Sequence, residues 1–166
     1  VDIPLILYNV PSRTGISILP ETVAELSKIK NIVGIKEASG SLDQICKIIS
    51  LVDKDFFVLS GDDALTLPII SVGGKGVVSV ASNIVPKEMS DMVRYALNGD
   101  IEKARQIHYN LYPIFKILFI ETNPIPVKTA LSLMGMIKDE WRLPLTPPSD
   151  ENYKKIEETI KKYGVI

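Results

Sequence analysis

The segment NIVGIKEASG, residues 31–40, decides how the rest of the chain is interpreted. Its centre is a short apolar run with β-branched residues, and polar or small residues bound it on both sides, which is typical of a buried strand. Side chains alternate along a strand, so Gly34, Lys36 and Ala38 share one face. The small neighbours predict space for a small molecule beside the Lys36 amine. The alternative is a lysine that extends its amine into solvent or pairs with an acid at the strand end.

Three further strands are expected, at residues 3–9, 56–60 and 76–80, and a helical pattern with short connections follows each strand. Regular strand–helix alternation predicts parallel strands with helices packed outside them. An open nucleotide-binding sheet would carry a glycine-rich phosphate loop after a strand, whereas the glycines of residues 73–76 precede one. We therefore predict an α/β fold of the TIM-barrel type. Because a complete (β/α)8 barrel needs about 250 residues, only its second half, strands five to eight, is expected here.

Helices alone are expected in the last third of the chain. Apolar residues at helical spacing predict a helix capped by Asp100 with a kink or break at Pro113, a shorter helix after Pro126, and a last helix capped by Ser149. We therefore expect two domains. The half-barrel of four βα units would cover residues 1–98, and a C-terminal helical domain would cover residues 99–166.

Composition argues against several classes of function. The 166 residues carry a net charge of −1 without a basic block, which disfavours nucleic acid or a membrane as partner. The single Cys46, on a predicted helix, is interpreted as a packing residue in a reducing compartment, and we expect a cytoplasmic protein. One histidine and one cysteine disfavour a zinc or haem site. The chain starts at Val1 without methionine, so we expect it to be part of a longer protein.

Candidate catalytic groups follow the strands, because active residues of parallel α/β folds gather at the C-terminal strand ends. Lys36 lies at one such end and Tyr8 at the preceding one. A neutral lysine amine attacks a ketone to give an imine, and burial in an apolar pocket favours the neutral form. We expect Val33 and Ile35 to supply that pocket. A nearby phenol can carry protons to and from the adducts.

Other polar residues near the predicted strand ends have less specific interpretations. Arg13, in a predicted loop over residues 11–15, is suited to a substrate carboxylate but could equally be a solvated loop charge. Tyr8 could be an amphipathic core residue. Asp62 and Asp63 follow the third strand, where such residues more often cap the next helix than take part in chemistry.

Several motifs together make the chain similar to the dihydrodipicolinate synthase family of pyruvate-dependent class I aldolases. Lys36 follows Tyr8 by 28 positions, a spacing that resembles that family's. The motifs cover nearly the whole chain: YNVPSRTG at 8–15, GIKEA at 34–38, SGDD at 60–63, GVVSV at 76–80, NPIPVK at 123–128 and RLPL at 142–145.

The resemblance implies a role for each matched residue. Lys36 would form a Schiff base with pyruvate and Tyr8 would donate and accept protons, with no bound cofactor or metal. Arg13 would hold aspartate semialdehyde, and Val78 would contact pyruvate. The product would be hydroxy-tetrahydrodipicolinate, on the route to diaminopimelate and lysine. The substrate-binding residues implied are Arg13, Val78, Gly61 and Asp62.

The resemblance also implies what is absent. Enzymes of the family are complete barrels that form homo-oligomers built from dimers. Their first half carries a threonine pair that binds the pyruvate carboxylate, a second tyrosine from a neighbouring subunit, and most of the lysine feedback site. We therefore expect this chain to be inactive alone, or to pair with a chain that supplies the N-terminal half-barrel and covers the two exposed sheet edges.

Two alternatives stay open at this point. One is an aldolase of the same superfamily that acts on N-acetylneuraminate or a keto-deoxy sugar acid. Arg13 favours the synthase, because those relatives commonly lack an arginine after the Tyr-Asn-x-Pro strand end. The other is a non-catalytic fragment or assembly module.

Overall fold

Residues 2–166 are described by the computed structural model, in which strands and helices alternate before a run of helices. The strands are β1 (Leu5–Asn9), β2 (Ile32–Glu37), β3 (Phe57–Ser60) and β4 (Gly76–Val77). The helices are α1 (Pro11–Thr14), α2 (Pro20–Leu26), α3 (Leu42–Leu51), α4 (Thr66–Ser71), α5 (Pro86–Leu97), α6 (Ile101–Ile117), α7 (Ile125–Leu133) and α8 (Asp150–Tyr163), with a 3-10 turn at Ala81–Asn83. None of these helices combines the length and apolar character that a membrane crossing needs.

The four strands form one parallel sheet in chain order, so β1 and β4 are its edges. This arrangement confirms the prediction of parallel strands that alternate with helices. The register pairs Tyr8 with Lys36 and Asn9 with Glu37, which places the ends of β1 and β2 level with each other. Side chains on the side of Tyr8 and Lys36 form what we call the site face, and those on the opposite side form the helix face.

An apolar core seals the helix face. Ser41 caps α3 by accepting a hydrogen bond from the Gln44 amide at 3.2 Å, as its sequence predicts. The buried residues of this core come from α2, β2, α3, β3 and α4 and from Phe56 just before β3: Val23, Ile35, Ile45, Ile48, Phe56, Val58 and Ile69.

A second core joins α4, α5, α6, α7 and α8. It includes Met92 of α5, Leu111 of α6 and Ile156 of α8, all fully buried. The caps predicted from Asp100 and Ser149 are both present, since each side chain accepts an amide hydrogen bond from the residue three positions later. The division into domains at residue 98 stays a prediction.

Two predictions need correction: α6 is not broken at Pro113, and residues 11–15 are not entirely a loop. Helix α6 continues through Pro113, because Leu111, Ile114 and Phe115 are buried around it and this packing outweighs the lost backbone hydrogen bond. The predicted loop over residues 11–15 contains α1, which begins at Pro11 and ends at Thr14, and Gly15 follows as its C-cap with a φ of 76°.

Strand β4 ends at Val77 and does not extend to residue 80 as predicted. The Val78 amide still donates to the Ser60 carbonyl at 2.9 Å, but the next amides turn away from the sheet. The buried Asp63 carboxylate accepts from the Val80 and Ala81 amides at 3.1 and 2.9 Å, which draws the chain into the 3-10 turn. Cys46 is a further correction: it lies exposed on α3 and does not pack in the core.

Candidate active site

The side chains of Tyr8 and Lys36 meet at the C-terminal ends of β1 and β2. Parallel pairing places these two residues directly opposite each other on the site face. The Lys36 Nζ lies 4.0 Å from the centroid of the Tyr8 ring. Lys36 is half-buried, and Tyr8 is 50% exposed. The amine therefore lies over the face of the phenol ring, and a phenol is a group that can donate and accept protons in an active site.

All six residues expected from the sequence to form the site line one cavity of about 300 Å³. Lys36 and Tyr8 form one wall, and the strand ends and loops form the rest. The remaining four predicted residues in its lining are Arg13, Gly61, Asp62 and Val78. The structure therefore brings the predicted residues together, and their individual roles stay predictions.

Helix α1 contributes Arg13 to the lining of this cavity. Its Nη2 donates to the Asn123 carbonyl oxygen at 3.4 Å, across 110 positions of sequence. A guanidinium carries five N–H donors in a planar fork, so this contact leaves the group able to bind a carboxylate as well. Arg13 thus connects the loop after β1 with the connection between α6 and α7.

The two aspartates after β3 have different surroundings. Asp62 Oδ1 accepts from the Ala64 and Leu65 amides at 2.8 and 3.3 Å, so it stabilises the turn before α4 and does not cap the helix as predicted, and the residue also lines the cavity. Asp63 is 2% exposed and holds the Val80 and Ala81 amides. Desolvation by burial raises the pKa of Asp63 above its ordinary value.

The apolar residues expected beside Lys36 are not those that the structure places there. Ile35 points to the helix face and is part of its buried core, and Val33 lies in a separate cavity near Ile29 at the other end of the strand. Strand alternation explains the error, because neighbours of Lys36 in sequence must face away from it. The apolar lining comes instead from more distant residues: Val10, Val78, Val80 and Phe119.

The small residues of β2 also act differently from expectation. A Cβ on Gly34 would clash with the Phe57 ring, so this glycine permits close packing with β3 and does not line the cavity. Ala38 does line it. A Cβ on Gly61 would approach the Ala38 Cβ to 2.6 Å, so Gly61 is needed for the close approach of these two loops.

Two residues of the cavity come from the α6–α7 connection and were not expected from the sequence. Phe119 is exposed beside the site, and Asn123 accepts the hydrogen bond from Arg13 through its carbonyl oxygen. Asn123 lies in a recognisable motif, but no local pattern indicates that this motif reaches the strand ends. Among residues 2–166, no cluster of three or more His, Cys, Asp and Glu side chains could hold a metal ion.

Comparisons with known proteins identify the family of this chain. A sequence model described as the dihydrodipicolinate synthetase family matches residues 1–163. A 4-hydroxy-tetrahydrodipicolinate synthase of Methanosarcina acetivorans is 56% identical over 167 aligned residues, which cover 100% of this chain and 57% of that protein.

Solved structures give the same result. The dihydrodipicolinate synthase of Aquifex aeolicus superposes with a TM-score of 0.98 at 51% identity, over 99% of this chain and 57% of that one. The chloride-inhibited dihydrodipicolinate synthase of Acinetobacter baumannii, solved with pyruvate, superposes with a TM-score of 0.97 at 40% identity. The match covers 100% of this chain and 57% of that one. The chain thus spans a little over half the length of these relatives. It belongs to the dihydrodipicolinate synthetase family and has the fold of the C-terminal half of that family's (β/α)8 barrel.

Proposed function

We propose that the chain is the second half of a 4-hydroxy-tetrahydrodipicolinate synthase, a lyase, in which Lys36 carries the covalent chemistry. The observation behind this proposal is the Lys36 amine 4.0 Å from the Tyr8 ring, at adjacent strand ends inside one cavity. The pyruvate complex of the Acinetobacter baumannii relative supports pyruvate as the ketone.

The chemistry begins when the Lys36 amine adds to the carbonyl carbon of pyruvate. Loss of water leaves a C=N bond with a positively charged nitrogen, which acidifies the neighbouring methyl group. Loss of a proton gives an enamine, whose carbon bonds to the aldehyde carbon of aspartate semialdehyde while the aldehyde oxygen takes up a proton. The amino group of that substrate then displaces Lys36 and closes the ring of hydroxy-tetrahydrodipicolinate. Tyr8 delivers and accepts the protons in these steps.

The other cavity residues are assigned to substrate binding. Arg13 binds the carboxylate of aspartate semialdehyde through its fork of N–H donors. Val78 contacts pyruvate, and Gly61 and Asp62 form the wall of the cavity beside Ala38. The synthase reading is preferred to an N-acetylneuraminate or keto-deoxy sugar acid aldolase because Arg13 is present and positioned at the site.

The chain requires partners for this activity. The site face is open, with Tyr8, Ile6 and Val78 all exposed, and both edge strands pair on one side only. We propose that an N-terminal half-barrel covers this face, that the half-barrel and helical units divide at residue 98, and that the assembled protein is a cytoplasmic homo-oligomer. In this assembly, the N-terminal half-barrel excludes water from the imine. It also supplies the groups that bind the carboxylate of pyruvate.

Borohydride trapping tests the proposal directly. The chain is incubated with labelled pyruvate and borohydride, alone and after co-expression with the first half-barrel of the Methanosarcina acetivorans synthase. We expect a stable adduct at Lys36 in the assembled protein, absent from Lys36→Arg and retained in the matched control Lys162→Arg on the exposed side of α8. A folded, assembled protein without an adduct would support a non-catalytic assembly module and reject the proposal.

Turnover measurements separate the two aldolase readings. The assembled protein is supplied with pyruvate and either aspartate semialdehyde or a sugar aldehyde. Preference for aspartate semialdehyde that disappears in Arg13→Ala supports the synthase. Preference for the sugar aldehyde would assign the chain to the other branch of the superfamily.

A further inference from the structure

Directly behind the Tyr8–Lys36 pair lies a second pair of polar residues, Asn9 and Glu37, on the helix face of the same strands. Both are 1% exposed, which is rare for a carboxylate that has no cation as partner. Asn9 Nδ2 donates to Glu37 Oε2 at 2.9 Å and to Oε1 at 3.2 Å. These are the last residues of β1 and β2, where a strand would otherwise fray into its loop.

The groups that face the Glu37 carboxylate are all neutral donors. The Ser39 amide donates to Oε1 at 2.6 Å, and Gln44 Nε2 donates to Oε2 at 3.2 Å. Gln44 is therefore directed at Glu37 and does not complete the reciprocal capping box that its spacing from Ser41 predicts. Burying this carboxyl group costs desolvation free energy, and only amide donors compensate for it. The positions of those donors must therefore fit the carboxyl oxygens closely.

Asn9 also closes the loop that carries Arg13. Its Nδ2 donates to Ser17 Oγ at 3.2 Å, and its Oδ1 accepts from the Ile18 amide at 3.0 Å. These contacts tie both ends of the segment between residues 9 and 18 to one side chain, with α1 and Arg13 between them.

We infer that Asn9 and Glu37 are positioning residues, which set the separation of the Tyr8 ring and the Lys36 amine from the opposite face of the strands. The inference rests on the proposed function for its catalytic consequence. The positioning itself is inferred from the strand register and from the hydrogen bonds of Asn9 and Glu37. Since an imine-forming amine must reach the carbonyl within a few tenths of an ångström, a shift between the strand ends changes the rate of imine formation.

A reciprocal pair of substitutions tests this inference in the assembled protein. Glu37→Gln places an amide donor against the donors of Asn9 and Gln44, and we expect pyruvate trapping at Lys36 to slow by about tenfold or more. Asn9→Asp places a second carboxylate beside Glu37 and slows trapping similarly. Combining both substitutions restores one carboxylate and one amide with their hydrogen bond reversed, and we expect the rate to return to within about threefold of the original.

The local geometry of the Tyr8–Lys36 pair is a second readout. It would not change if Asn9 and Glu37 only stabilised the fold. An NOE between the Tyr8 ring protons and the Lys36 side-chain protons is expected in the parent, weakened in Glu37→Gln and recovered in the double variant. Glu158→Gln, on the exposed face of α8, is the matched control and should leave both rate and NOE unchanged. All variants are compared at a temperature at which circular dichroism shows them folded.

If Glu37→Gln does not fold, the milder Gln44→Met removes one donor to Glu37 and should slow trapping by about threefold with a weaker NOE. Folded Glu37→Gln or Gln44→Met proteins with the parent's trapping rate and NOE would overturn the inference, as would a folded double variant without recovery. A parent protein that forms no imine would reject the proposed function, and the NOE series would still decide whether Asn9 and Glu37 position the pair.

Discussion

The two faces of the parallel sheet differ in how far this chain completes them. On the helix face, Ile35 is fully buried in an apolar core, and Glu37 at the end of the same strand is held by amides. On the site face, Tyr8 and Ile6 are each 50% exposed, although they alternate with the residues of the buried face. The difference indicates that the helix face supplies the stability of the chain. The site face carries the Tyr8–Lys36 pair and leaves apolar side chains exposed to solvent.

Substituting two neighbouring residues of β2, one on each face, is expected to give the largest difference in the free energy of unfolding. Ile35→Ala removes a fully buried side chain and should lower the free energy of unfolding by about 3 kcal/mol. Lys36→Ala, one residue later, should change it by less than about 1 kcal/mol while abolishing the pyruvate adduct. Urea denaturation of both variants gives the comparison, and equal losses of stability would contradict it.

A substitution at Tyr8 can remove a reactive group from the site face without changing the shape of that face. Tyr8→Phe keeps the ring beside Lys36 and removes the hydroxyl, so turnover of the assembled protein should fall by about a hundredfold. The free energy of unfolding should change by less than about 0.5 kcal/mol, because the residue is half exposed. Tyr109→Phe, on the exposed side of α6, is the matched control. A variant with normal turnover would remove Tyr8 from the proton transfers.

Much of this difference between faces is predictable from the sequence, because alternation within β2 is a local property. The apolar periods of the helices, the caps at Ser41, Asp100 and Ser149, and the order of the strands follow in the same way. The half-barrel is predictable from four βα units in a chain shorter than the about 250 residues of a complete barrel, without a glycine-rich loop after a strand.

Features that depend on contacts across long sequence distances are not predictable in this way. Phe119 and Asn123 reach the cavity because the α6–α7 connection folds back over the strand ends, about 85 positions after Lys36. The early end of β4 depends on the Asp63 carboxylate, 17 positions before the Val80 amide that it binds, and the continuation of α6 through Pro113 depends on burial. Local sequence propensity does not predict these three features, because tertiary contacts determine each of them.

Asp63 is a buried acid in the turn after β3, where it holds the segment that follows β4. Burial raises its pKa in the folded chain above the ordinary value of 3.8, so the folded state holds the proton more tightly than the unfolded state. The free energy of unfolding should therefore decrease as pH rises from about 3.8 through the raised pKa.

Asp63→Asn keeps an oxygen for the Val80 and Ala81 amides and removes this titration. Its stability relative to the parent should increase over that pH window and become constant above it. Urea denaturation at a series of pH values measures the difference, with the exposed Asp43→Asn as control. A difference that stays flat across the window would show that burial of the Asp63 charge carries no cost.

The smallest effect on the chain itself is expected from Ile6, on the open site face. Ile6→Thr should change the free energy of unfolding by less than about 0.5 kcal/mol, because half of the side chain is already in water. Affinity for the first half-barrel of the Methanosarcina acetivorans synthase should fall by about tenfold, since the lost apolar surface would be buried in the assembly. Ile137→Thr, an exposed position in the connection after α7, should leave that affinity unchanged. If Ile6→Thr instead lowered the stability of the isolated chain and left the affinity intact, the site face would not be the surface that the proposed N-terminal half-barrel covers.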